Sequence, residues 1–343
     1  PILSNAKFVA GNELTITATN VDLELIEKVP AKVEKEGKVT IPAHTLYDIV
    51  RKLPEDSEIK FELKGNEIVL KAGKSEFKLP TLPADDFPMM AGANLPHKFK
   101  MSPEDLIALI DKTKFAISTE ETRYQLNGVY LHTTEKNGQP VLRAVATDGT
   151  RLALYEIPAP DGAKGMSGVI IPKQVIYELR KILDDGKEDI TIEISETKTR
   201  FSFKSLVMTS KLIDGKFPDY TNVIPKNNKN ILNVNCKQFI NGVDRISSVS
   251  DDKYKTIKIN VKGKKLVLSA NSNDIGSGTE ELDVQYSSET PLESTFKVKF
   301  LLELTSQIST DNAEFLFSDG LSPCIIQEPK NNNFLYVMMP LRR

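Results

Sequence analysis

A short segment of this chain is repeated almost a domain length away, and this repeat constrains the fold more than any other feature of the sequence. The segment Ile41–Leu53 (IPAHTLYDIVRKL) returns as Ile171–Leu183 (IPKQVIYELRKIL), an offset of 130 residues (171 minus 41). Phe87-Pro88 returns at the same offset as Phe217-Pro218. Solenoid repeats are only roughly 20–50 residues long, so this period is too long for a solenoid. We therefore predict tandem copies of one domain.

A weaker match indicates a third copy. Ala18-Thr19-Asn20 returns as Ala146-Thr147-Asp148, and again as Ala270-Asn271-Ser272. The chain has 343 residues, which at about 150 residues per domain allows two or three domains, and the repeats favour three. We place the three domains at residues 1–92, 93–227 and 228–343.

Each complete copy is predicted to be an α+β domain with two helices packed on antiparallel sheets. In the middle copy one helix begins at Ser102-Pro103, where a hydroxyl precedes proline at the first helical position, and another spans about Lys173–Leu183. Asn137-Gly138 indicates a tight turn between two strands. The first copy opens with predicted strands at Ala6–Val9 and Glu13–Thr19, which match strands that follow the first helix of the other copies. We therefore expect it to be truncated, without its opening strand and helix.

The composition is that of a chain able to bury several cores, but it does not identify a partner. Hydrophobic residues make up 40% and charged residues 27%, and the formal net charge is −2. A total near zero does not exclude one basic surface. Cys236 and Cys324 show no metal or redox spacing, which fits a reducing compartment. Without a signal segment or an apolar run near the roughly 18 residues of a membrane span, we expect a cytoplasmic protein with no membrane partner.

The sequence lacks the common catalytic motifs, which argues against an enzyme. It contains no P-loop, no GxGxxG, no GxSxG and no HExxH motif. Gly276-Ser277-Gly278 is predicted to be a flexible loop rather than a phosphate site. His44, His97 and His132 lie in different elements, so only the fold could gather them into a zinc or acid–base site. We expect no catalysis, no metal and no cofactor.

Each predicted helix has an apolar stripe and a face that includes lysine or arginine. Taken singly, such faces are ordinary surfaces of amphipathic helices. If equivalent helices of the repeats point the same way, their basic faces add up to a surface that meets phosphates without reading bases. The basic residues in question, with Lys112 and Lys114 expected to face solvent, are Arg51, Lys52, Lys112, Lys114, Lys173, Arg180, Lys181, Lys237 and Arg245.

Four stretches give the chain a specific resemblance to a known family. They are residues 123–128 (RYQLNG), 146–153 (ATDGTRLA), 209–220 (TSKLIDGKFPDY) and 336–342 (YVMMPLR). In this order and over the whole length, the chain resembles the bacterial DNA polymerase III beta subunit, the sliding clamp. The resemblance implies three DNA-clamp domains per chain and a head-to-tail homodimer that closes into a ring, with helices around the hole and sheets outside.

The resemblance also implies a function. A sliding clamp is a DNA polymerase processivity factor that encircles double-stranded DNA without sequence specificity and tethers the replicative polymerase. Expected partners are duplex DNA, the DNA polymerase III alpha subunit, the clamp loader, and other polymerases and repair proteins that bind through short linear peptides. A rival interpretation, a three-domain adhesion or carbohydrate-binding scaffold, predicts a secretion signal and aromatic platforms, but the chain has no tryptophan. An enzyme is the third interpretation.

Carried over residue by residue, the resemblance implies a peptide-binding groove between the second and third domains. Apolar and methionine side chains would form an adaptable pocket. Val337 is equally expected in a last core strand, whereas Pro340 ends strand pairing and frees the residues after it. Thr150 stands where histidine is common and Asn222 where arginine is common, so the peptide preference stays open. The implied groove residues are Leu126, Thr147, Gly149, Thr150, Arg151, Leu152, Pro218, Asn222, Val223, Val337, Met338, Met339, Pro340 and Leu341.

For DNA, the resemblance implies contacts by Arg51 and by the loop Glu120–Gln125. Within this loop we single out Glu120, Arg123, Tyr124 and Gln125, with Tyr124 and Gln125 foremost. Together with the basic helix residues, they make up the predicted DNA-facing surface.

The ring would close by pairing an edge strand of the first domain with one of the third. Lysines on a predicted strand Ile68–Leu79 would face acids of the third domain, and Phe77 would pack against Val249. Such charges would set the register of a heterologous contact. The alternative is two unrelated edges that carry charge to avoid aggregation. The predicted interface residues are Lys71, Lys74, Phe77, Lys78, Val249, Glu280, Glu281 and Asp283.

Overall fold

The structure, a computed structural model, describes residues 2–183, 188–250 and 255–341. Arg342, the last residue of the C-terminal motif, lies outside the described residues. The chain divides into two compact units, one containing residues 1–103 and 186–212 and the other residues 104–185 and 213–343. None of the helices within the described ranges is both long and apolar enough to cross a membrane.

The described elements follow the predicted three-part order along the chain. The first part contains β1 (Asn5–Ala10), β2 (Leu14–Thr19), β3 (Leu23–Val29), β4 (Gly37–Pro42), α1 (Ala43–Val50), β5 (Ile59–Lys64), β6 (Glu67–Ala72) and β7 (Ser75–Pro80). The middle part contains β8 (His97–Met101), α2 (Pro103–Asp111), β9 (Gly128–Lys136), β10 (Gln139–Thr147), β11 (Arg151–Pro158), β12 (Val169–Pro172), α3 (Lys173–Ile182), β13 (Ile190–Ile194), β14 (Lys198–Phe203) and β15 (Leu206–Lys211). The last part contains β16 (Asn230–Asn235), α4 (Cys236–Ser247), β17 (Thr256–Lys262), β18 (Lys265–Ser272), β19 (Gly276–Asp283), β20 (Gln285–Tyr286), β21 (Leu292–Lys297), α5 (Val298–Ser306), β22 (Asn312–Phe317), β23 (Cys324–Glu328) and β24 (Asn331–Met338).

In the first unit, strands of the first and middle parts share one antiparallel sheet. Its eight strands have the order β4-β1-β2-β3-β15-β14-β13-β8. The two parts join where β15 pairs with β3, with Met208 opposite Leu25. β5, β6 and β7 form a separate three-stranded sheet. Side chains from both sheets, including Phe8 on β1 and Ile68 on β6, belong to one buried cluster.

The second unit repeats this arrangement with the middle and last parts. Its nine-stranded sheet has the order β12-β9-β10-β11-β24-β23-β22-β16-β20, and β19-β18-β17-β21 form a separate sheet. The parts join where β11 pairs with β24, with Ala153 opposite Tyr336. Because sheets run from one part into the next, the compact units do not coincide with the repeats, and the domain boundaries at 92 and 227 stay a prediction.

The tight turn predicted at Asn137-Gly138 is confirmed, and a second local signal in the sequence caps α4. Asn137 and Gly138 form the turn between β9 and β10, with φ of 51° and 76°, the left-handed conformation that such a turn requires at both positions. The side chain of Asn235 accepts a hydrogen bond from the N–H of Gln238 at 3.1 Å, which caps α4.

The single strand predicted for Ile68–Leu79 is wrong. β6 and β7 form a hairpin that reverses between Ala72 and Ser75, and Gly73 in the turn has φ of 57°, a conformation that glycine adopts without a steric penalty. Residues 73–76 (GKSE) contain no apolar side chain, so the sequence did carry a signal for this turn. Lys71 therefore lies on β6, while Phe77 and Lys78 lie on β7.

The prediction of a loop at Gly276–Gly278 is also wrong, because these residues begin β19. Gly278 pairs with Ala270 of β18. A Cβ atom at Gly278 would lie 2.9 Å from Cγ2 of Val249 and 3.4 Å from Cδ1 of Ile246. The glycine therefore permits the close approach of the end of α4 to this strand.

Candidate functional site

A groove of about 630 Å³ in the second unit is lined by residues that are far apart in the sequence. They come from the turn between β10 and β11, from the segment that follows β15, and from the end of β24. Eleven of the predicted groove residues line it: Leu126, Thr147, Gly149, Thr150, Arg151, Leu152, Pro218, Asn222, Val223, Val337 and Met339.

The groove combines a buried apolar floor with an apolar rim that is open to solvent. The floor is formed by Leu126, Leu152 and Val337, which belong to one buried core cluster. At the rim, the residues Val223 and Met339 are 54% and 43% exposed. Exposed apolar side chains beside a concave apolar floor are typical of a site that binds an apolar ligand segment.

The turn between β10 and β11 is held rigid by its own side chains. Oδ1 of Asp148 accepts hydrogen bonds from the N–H groups of Thr150 and Arg151 at 2.9 and 3.0 Å. The hydroxyl of Thr147 donates to the Arg151 carbonyl at 2.7 Å. Gly149 has φ of 86°, which favours glycine. This turn is the ATDGTR part of the sequence motif, and its hydrogen bonds present Thr147, Gly149 and Thr150 to the groove.

The C-terminal tail is tied to the same turn. The N–H of Met339 donates to the carbonyl of Thr150 at 2.9 Å, and the N–H of Leu341 donates to Thr295 at 2.8 Å. Pro340 therefore does not free the residue after it. Met338 and Pro340 are buried, Leu341 is half-buried, and none of the three lines the groove. Side chains alternate along a strand, so Val337 lines the groove whereas Met338, paired with Cys324 and Arg151, lies in the core.

Other groove residues were not predicted for this site. Arg123 was expected at the DNA, and it lines the groove with its guanidinium close to Gly149. The contiguous Phe-Pro-Asp-Tyr motif was a usable signal for Asp219 and Tyr220, but no sequence pattern marked the segment 318–323. The additional lining residues are Asp219, Tyr220, Ile224, Pro225, Lys226, Asn227, Asn228, Ser318, Ser322 and Pro323.

One wall of the groove is a short 3-10 turn at Tyr220–Val223, which we call the wall turn. Asp219 precedes it and accepts hydrogen bonds from the hydroxyl and the N–H of Thr221 at 2.6 and 3.1 Å. These two bonds hold the pKa of Asp219 below its usual value. The amide of Asn222 donates to the other carboxylate oxygen at 2.8 Å, so Asn222 is oriented within the wall turn.

Several predicted DNA-facing cations are at the surface. Arg51 and Lys181 are exposed, and each forms an ion pair three residues back on its own helix, with Asp48 at 2.8 Å and with Glu178 at 2.9 Å. Lys237 is exposed. Such exposed pairs contribute little stability, so these side chains are able to exchange partners.

Lys112 does not face solvent as expected. Only 16% of its side chain is exposed, and its ammonium group donates to the carbonyl of Gln307 and to Oγ of Ser309. It also lies 5.1 Å from the centroid of the Phe334 ring, and burial lowers the pKa of Lys112. The helical pattern could not show that residues of the last part cover Lys112, directly after the end of α2.

The other predicted loop and helix residues differ in their surroundings. Lys114 and Arg180 are half-buried and both pair with Asp111, with Arg180 Nε 2.9 Å from the carboxylate, so neither is a free cation. In the loop, Tyr124 is 56% exposed. Glu120 is exposed and Gln125 half-buried, and Glu120 lies 3.4 Å from Nε of Arg123.

Five of the predicted interface residues lie on edge strands of small sheets, Phe77 and Lys78 on β7 and Glu280, Glu281 and Asp283 on β19. Lys71 lies on the central strand β6, Lys74 in the turn between β6 and β7, and Val249 just after α4. Lys71 pairs with Glu76 at 3.3 Å within the β6-β7 hairpin. On β19, Glu280 accepts two hydrogen bonds from Arg245, at 3.0 and 2.5 Å. Glu281 and Asp283 each lie 2.8 Å from Lys265. Arg245 was predicted for DNA and Glu280 for the interface, but the two side chains bind each other.

Models of known protein families match most of the chain. Three models match in order: the DNA polymerase III beta subunit N-terminal domain at residues 1–91, its central domain at 100–219 and its C-terminal domain at 221–342. The chain belongs to the DNA polymerase III beta subunit family. Its fold is accordingly that of three tandem DNA-clamp domains.

Relatives in this family share the whole length of the chain. The beta sliding clamp of Caulobacter vibrioides is 44% identical over 345 residues, which cover 100% of this chain and 92% of the relative. That of Pseudomonas aeruginosa is 35% identical with the same coverage. Among solved structures, the sliding clamp of Bartonella birtlesii bound to griselimycin is 43% identical with a TM-score of 0.97, covering 100% of this chain and 92% of that chain. The Pseudomonas aeruginosa subunit has a TM-score of 0.94 at 33% identity, covering 100% and 94%.

Proposed function

We propose that this protein is the processivity factor of a bacterial replicative DNA polymerase. As a homodimer it forms a closed ring that encircles duplex DNA without sequence specificity, and it tethers the polymerase through the groove. The single observation that carries the proposal is the groove itself, an apolar floor and rim assembled from two tandem clamp domains of a family member. The ring acts by topology, because bound DNA leaves only when an interface opens.

The groove is proposed to bind short linear peptides of the DNA polymerase III alpha subunit, the clamp loader, and other polymerases and repair proteins. Leu126, Leu152 and Val337 offer a preformed apolar floor, and burial of apolar peptide side chains there would supply most of the affinity. Met339 at the rim is flexible enough to adapt to different peptides. The half-exposed guanidinium of Arg123, which lines the groove, is placed to orient the polar part of a peptide, whereas that of Arg151 is engaged within the protein.

The exposed cations are proposed to meet the phosphates of duplex DNA. Arg51, Lys181 and Lys237 remain the best candidates, because Lys112, Lys114 and Arg180 are engaged within the protein. Lys173 is half-buried, with its ammonium group 5.7 Å from the centroid of the Tyr177 ring, and it stays a candidate beside them. Contacts between these side chains and phosphates are weak and independent of the base sequence, and they weaken as the salt concentration rises. Weak contacts suit a ring, since the closed topology rather than the affinity retains the DNA.

The ring is proposed to close by pairing β7 of one protomer with β19 of its partner. In each chain the last strand of one domain already pairs with the third strand of a three-stranded meander in the preceding domain: β15 with β3 of β1-β2-β3, and β24 with β11 of β9-β10-β11. Among the described strands, β7 and β19 are the corresponding ones at the edges of their sheets. The same pairing between protomers would therefore complete the pattern.

The internal pairings also suggest the register of this contact. Phe77 occupies the same position in the β6-β7 hairpin as Met208 does in the β14-β15 hairpin. Phe77 pairs with Leu70, as Met208 pairs with Phe201. Gly278 occupies the position of Leu25, since Ala270 and Ala18 are repeat equivalents. Met208 lies opposite Leu25, so Phe77 would lie opposite Gly278 of the partner. Antiparallel pairing then sets Lys74 opposite Glu281 of the same partner.

We further propose that the protein has no catalytic activity and acts in the cytoplasm, where bacterial chromosomes are replicated. Within the described ranges no group of three or more His, Cys, Asp or Glu side chains is placed to hold a metal ion. The polymerase supplies the chemistry in this scheme, and the clamp supplies attachment.

Primer extension on a primed circular template tests the proposal. With the cognate polymerase and clamp loader, the protein should lengthen the product made in a single binding event. The double variant Val223→Ala/Met339→Ala should shorten that product and weaken binding of a labelled alpha-subunit peptide by at least tenfold, about 1.4 kcal/mol. Leu63→Ala, which removes an exposed leucine outside the groove, is the matched control. Unchanged product length and peptide affinity in the double variant would contradict the proposal.

A further inference from the structure

Three charged or titratable side chains form a row across neighbouring strands behind the groove. His132 on β9 lies directly opposite Arg143 on β10, and Arg143 lies opposite Glu156 on β11. Arg143 donates from Nε to Glu156 at 2.8 Å, and its Nη2 is 2.7 Å from the same carboxylate. Lys136 also pairs with Glu156. Because Glu156 is almost fully buried, the guanidinium of Arg143 is held firmly in place.

The free end of this row contacts the wall turn. Nη1 of Arg143 donates to the hydroxyl oxygen of Tyr220 at 2.9 Å, and Nε2 of His132 lies 2.9 Å from the same oxygen. Tyr220 is the first residue of the wall turn and is 6% exposed. Its hydroxyl thus binds two side chains of the sheet, while the turn that it begins carries Asn222 and Val223 into the groove.

Stacked rings fix the same segment. Tyr130 stacks on Phe217 with ring centroids 4.8 Å apart and an interplanar angle of 5°, and it stacks on His132 at 4.7 Å. A Cβ atom at Gly168 would lie 2.1 Å from the hydroxyl oxygen of Tyr130. The space for the Tyr130 ring therefore depends on glycine at this position. Together these rings leave little room for His132 to turn away from Tyr220.

We propose that His132 and Arg143 are positioning residues for peptide binding, holding the Tyr220 hydroxyl and through it the wall turn, and that His132 does so only when neutral. This inference rests on the proposed function of the groove. It identifies residues that touch no peptide but set the shape of the surface that does.

The requirement that His132 be neutral follows from which groups around the Tyr220 hydroxyl donate hydrogen bonds and which accept them. The Tyr220 oxygen accepts from Arg143, so its own proton is free to go to Nε2 of His132, which must then be unprotonated. Nδ1 carries the ring proton and lies 3.2 Å from the carbonyl oxygen of Thr133. In the imidazolium both ring nitrogens are donors. The Tyr220 hydroxyl would then lose its acceptor, and a cation would lie beside Arg143.

The charged surroundings give the sign of the pH effect. Burial lowers the pKa of His132 from its usual value, and the charge of Arg143 acts in the same direction, whereas the hydrogen bond to Thr133 and the charge of Glu156 oppose them. The remaining neighbours are Lys136, Tyr130 and Tyr220. Because the pKa of His132 is lowered when the wall turn is ordered, protonation of His132 destabilises the ordered wall turn. The ordered wall turn is therefore favoured above about pH 6.5, the usual pKa of histidine, and is lost as the pH falls through the lowered value.

The test measures the affinity of a labelled, histidine-free alpha-subunit peptide from pH 7.5 to pH 5 by fluorescence anisotropy. The wild-type protein should lose about tenfold in affinity over this range, the equivalent of one net hydrogen bond. His132→Gln keeps an acceptor for the Tyr220 hydroxyl but cannot titrate, so its affinity should stay near the wild-type value and independent of pH. Tyr220→Phe and His132→Phe keep the rings but remove the hydrogen bond, so both should bind weakly at every pH.

Thermal melting and sedimentation at each pH confirm that the variants are folded and assembled. A wild-type profile that does not change with pH, or a His132→Gln profile that falls as the wild type does, would overturn the role of His132. Unchanged affinity in Tyr220→Phe would overturn positioning through the hydroxyl. Failure of the wild type to bind the peptide even at pH 7.5 would instead overturn the proposed function of the groove, so the two failures are distinguishable.

Discussion

The guanidinium of Arg151 lies between the aromatic rings of Phe115 and Phe300, with its central carbon 5.4 and 4.3 Å from the two ring centroids. Its nitrogens also donate to the carbonyl of Phe115 at 2.6 Å, to Asp148 at 3.0 Å and to Glu303. A planar group with several donors suits this position, whereas an ammonium group cannot stack and donate in the same way. Arg151 thus joins the groove turn to α5.

Arg151→Lys should therefore lower the free energy of unfolding of the protein by about 1–2 kcal/mol, and Arg151→Ala by about 3 kcal/mol, because Arg151 is buried and its half-buried acceptors lose their donor. Denaturant unfolding measures both. Arg245→Lys is the matched control, since Arg245 also binds a glutamate through two nitrogens but at the surface, and it should change the stability little. If Arg151→Lys and Arg245→Lys lowered the free energy of unfolding equally, burial and stacking of the Arg151 guanidinium would not be what stabilises the protein.

Gly128 is predicted to be intolerant of any side chain. A Cβ atom there would lie 2.2 Å from the carbonyl oxygen of Ile171, and a backbone atom in a paired strand cannot move aside. Gly128→Ala should destabilise the protein by about 3 kcal/mol, as overpacking of a core does at the upper end of its range. Gly37→Ala, where no atom lies within 4 Å, should have little effect. Thermal and denaturant unfolding of the two variants provide the comparison, and similar stabilities would show that the strands adjust.

Lys112 and the exposed cations are predicted to have separable roles. Lys112→Met keeps the apolar stem over Phe334 but removes the bonds to Gln307 and Ser309, so it should cost about 2 kcal/mol of unfolding free energy and leave DNA retention unchanged. The triple charge reversal of Arg51, Lys173 and Lys181 to Glu should weaken DNA retention and leave the unfolding free energy nearly unchanged. Retention on nicked circular DNA at several salt concentrations, together with unfolding curves, separates them. Loss of retention in Lys112→Met with normal stability would return Lys112 to the DNA surface.

Phe77 is predicted to contribute more to the dimer than the lysines near it. An aromatic side chain buried against β19 of the partner is worth about 1.5–3 kcal/mol, while a rim ion pair is worth about 0–1 kcal/mol. Phe77→Ala should therefore raise the dissociation constant at least tenfold, and Lys74→Ala far less. Because a head-to-tail ring contains the interface twice, each loss acts twice. Sedimentation equilibrium at low protein concentration measures the dimer dissociation constant of each variant. An unchanged dissociation constant in Phe77→Ala would exclude the β7–β19 pairing.

Much of the fold was readable because its signals are local. The repeat at Ile41 and Ile171 marks an equivalent strand-to-helix junction in the two copies. Asn137-Gly138 and Asn235 act through neighbouring backbone groups, so their turn and helix cap follow from a few adjacent residues. Motif matching likewise predicted half of the residues that line the groove, since the segments at 147–152 and 218–223 are continuous.

The sequence by itself therefore determined the family, the three-part organisation and the segments that supply the groove. The tertiary structure alone decided which side chains those segments present. Met338 and Met339 look alike in sequence, but strand alternation buries one and exposes the other. Lys112 has the pattern of a solvent-facing lysine and is covered by residues almost 200 positions away. Such outcomes depend on which strands and helices meet, and contacts between distant residues leave no local pattern in the chain.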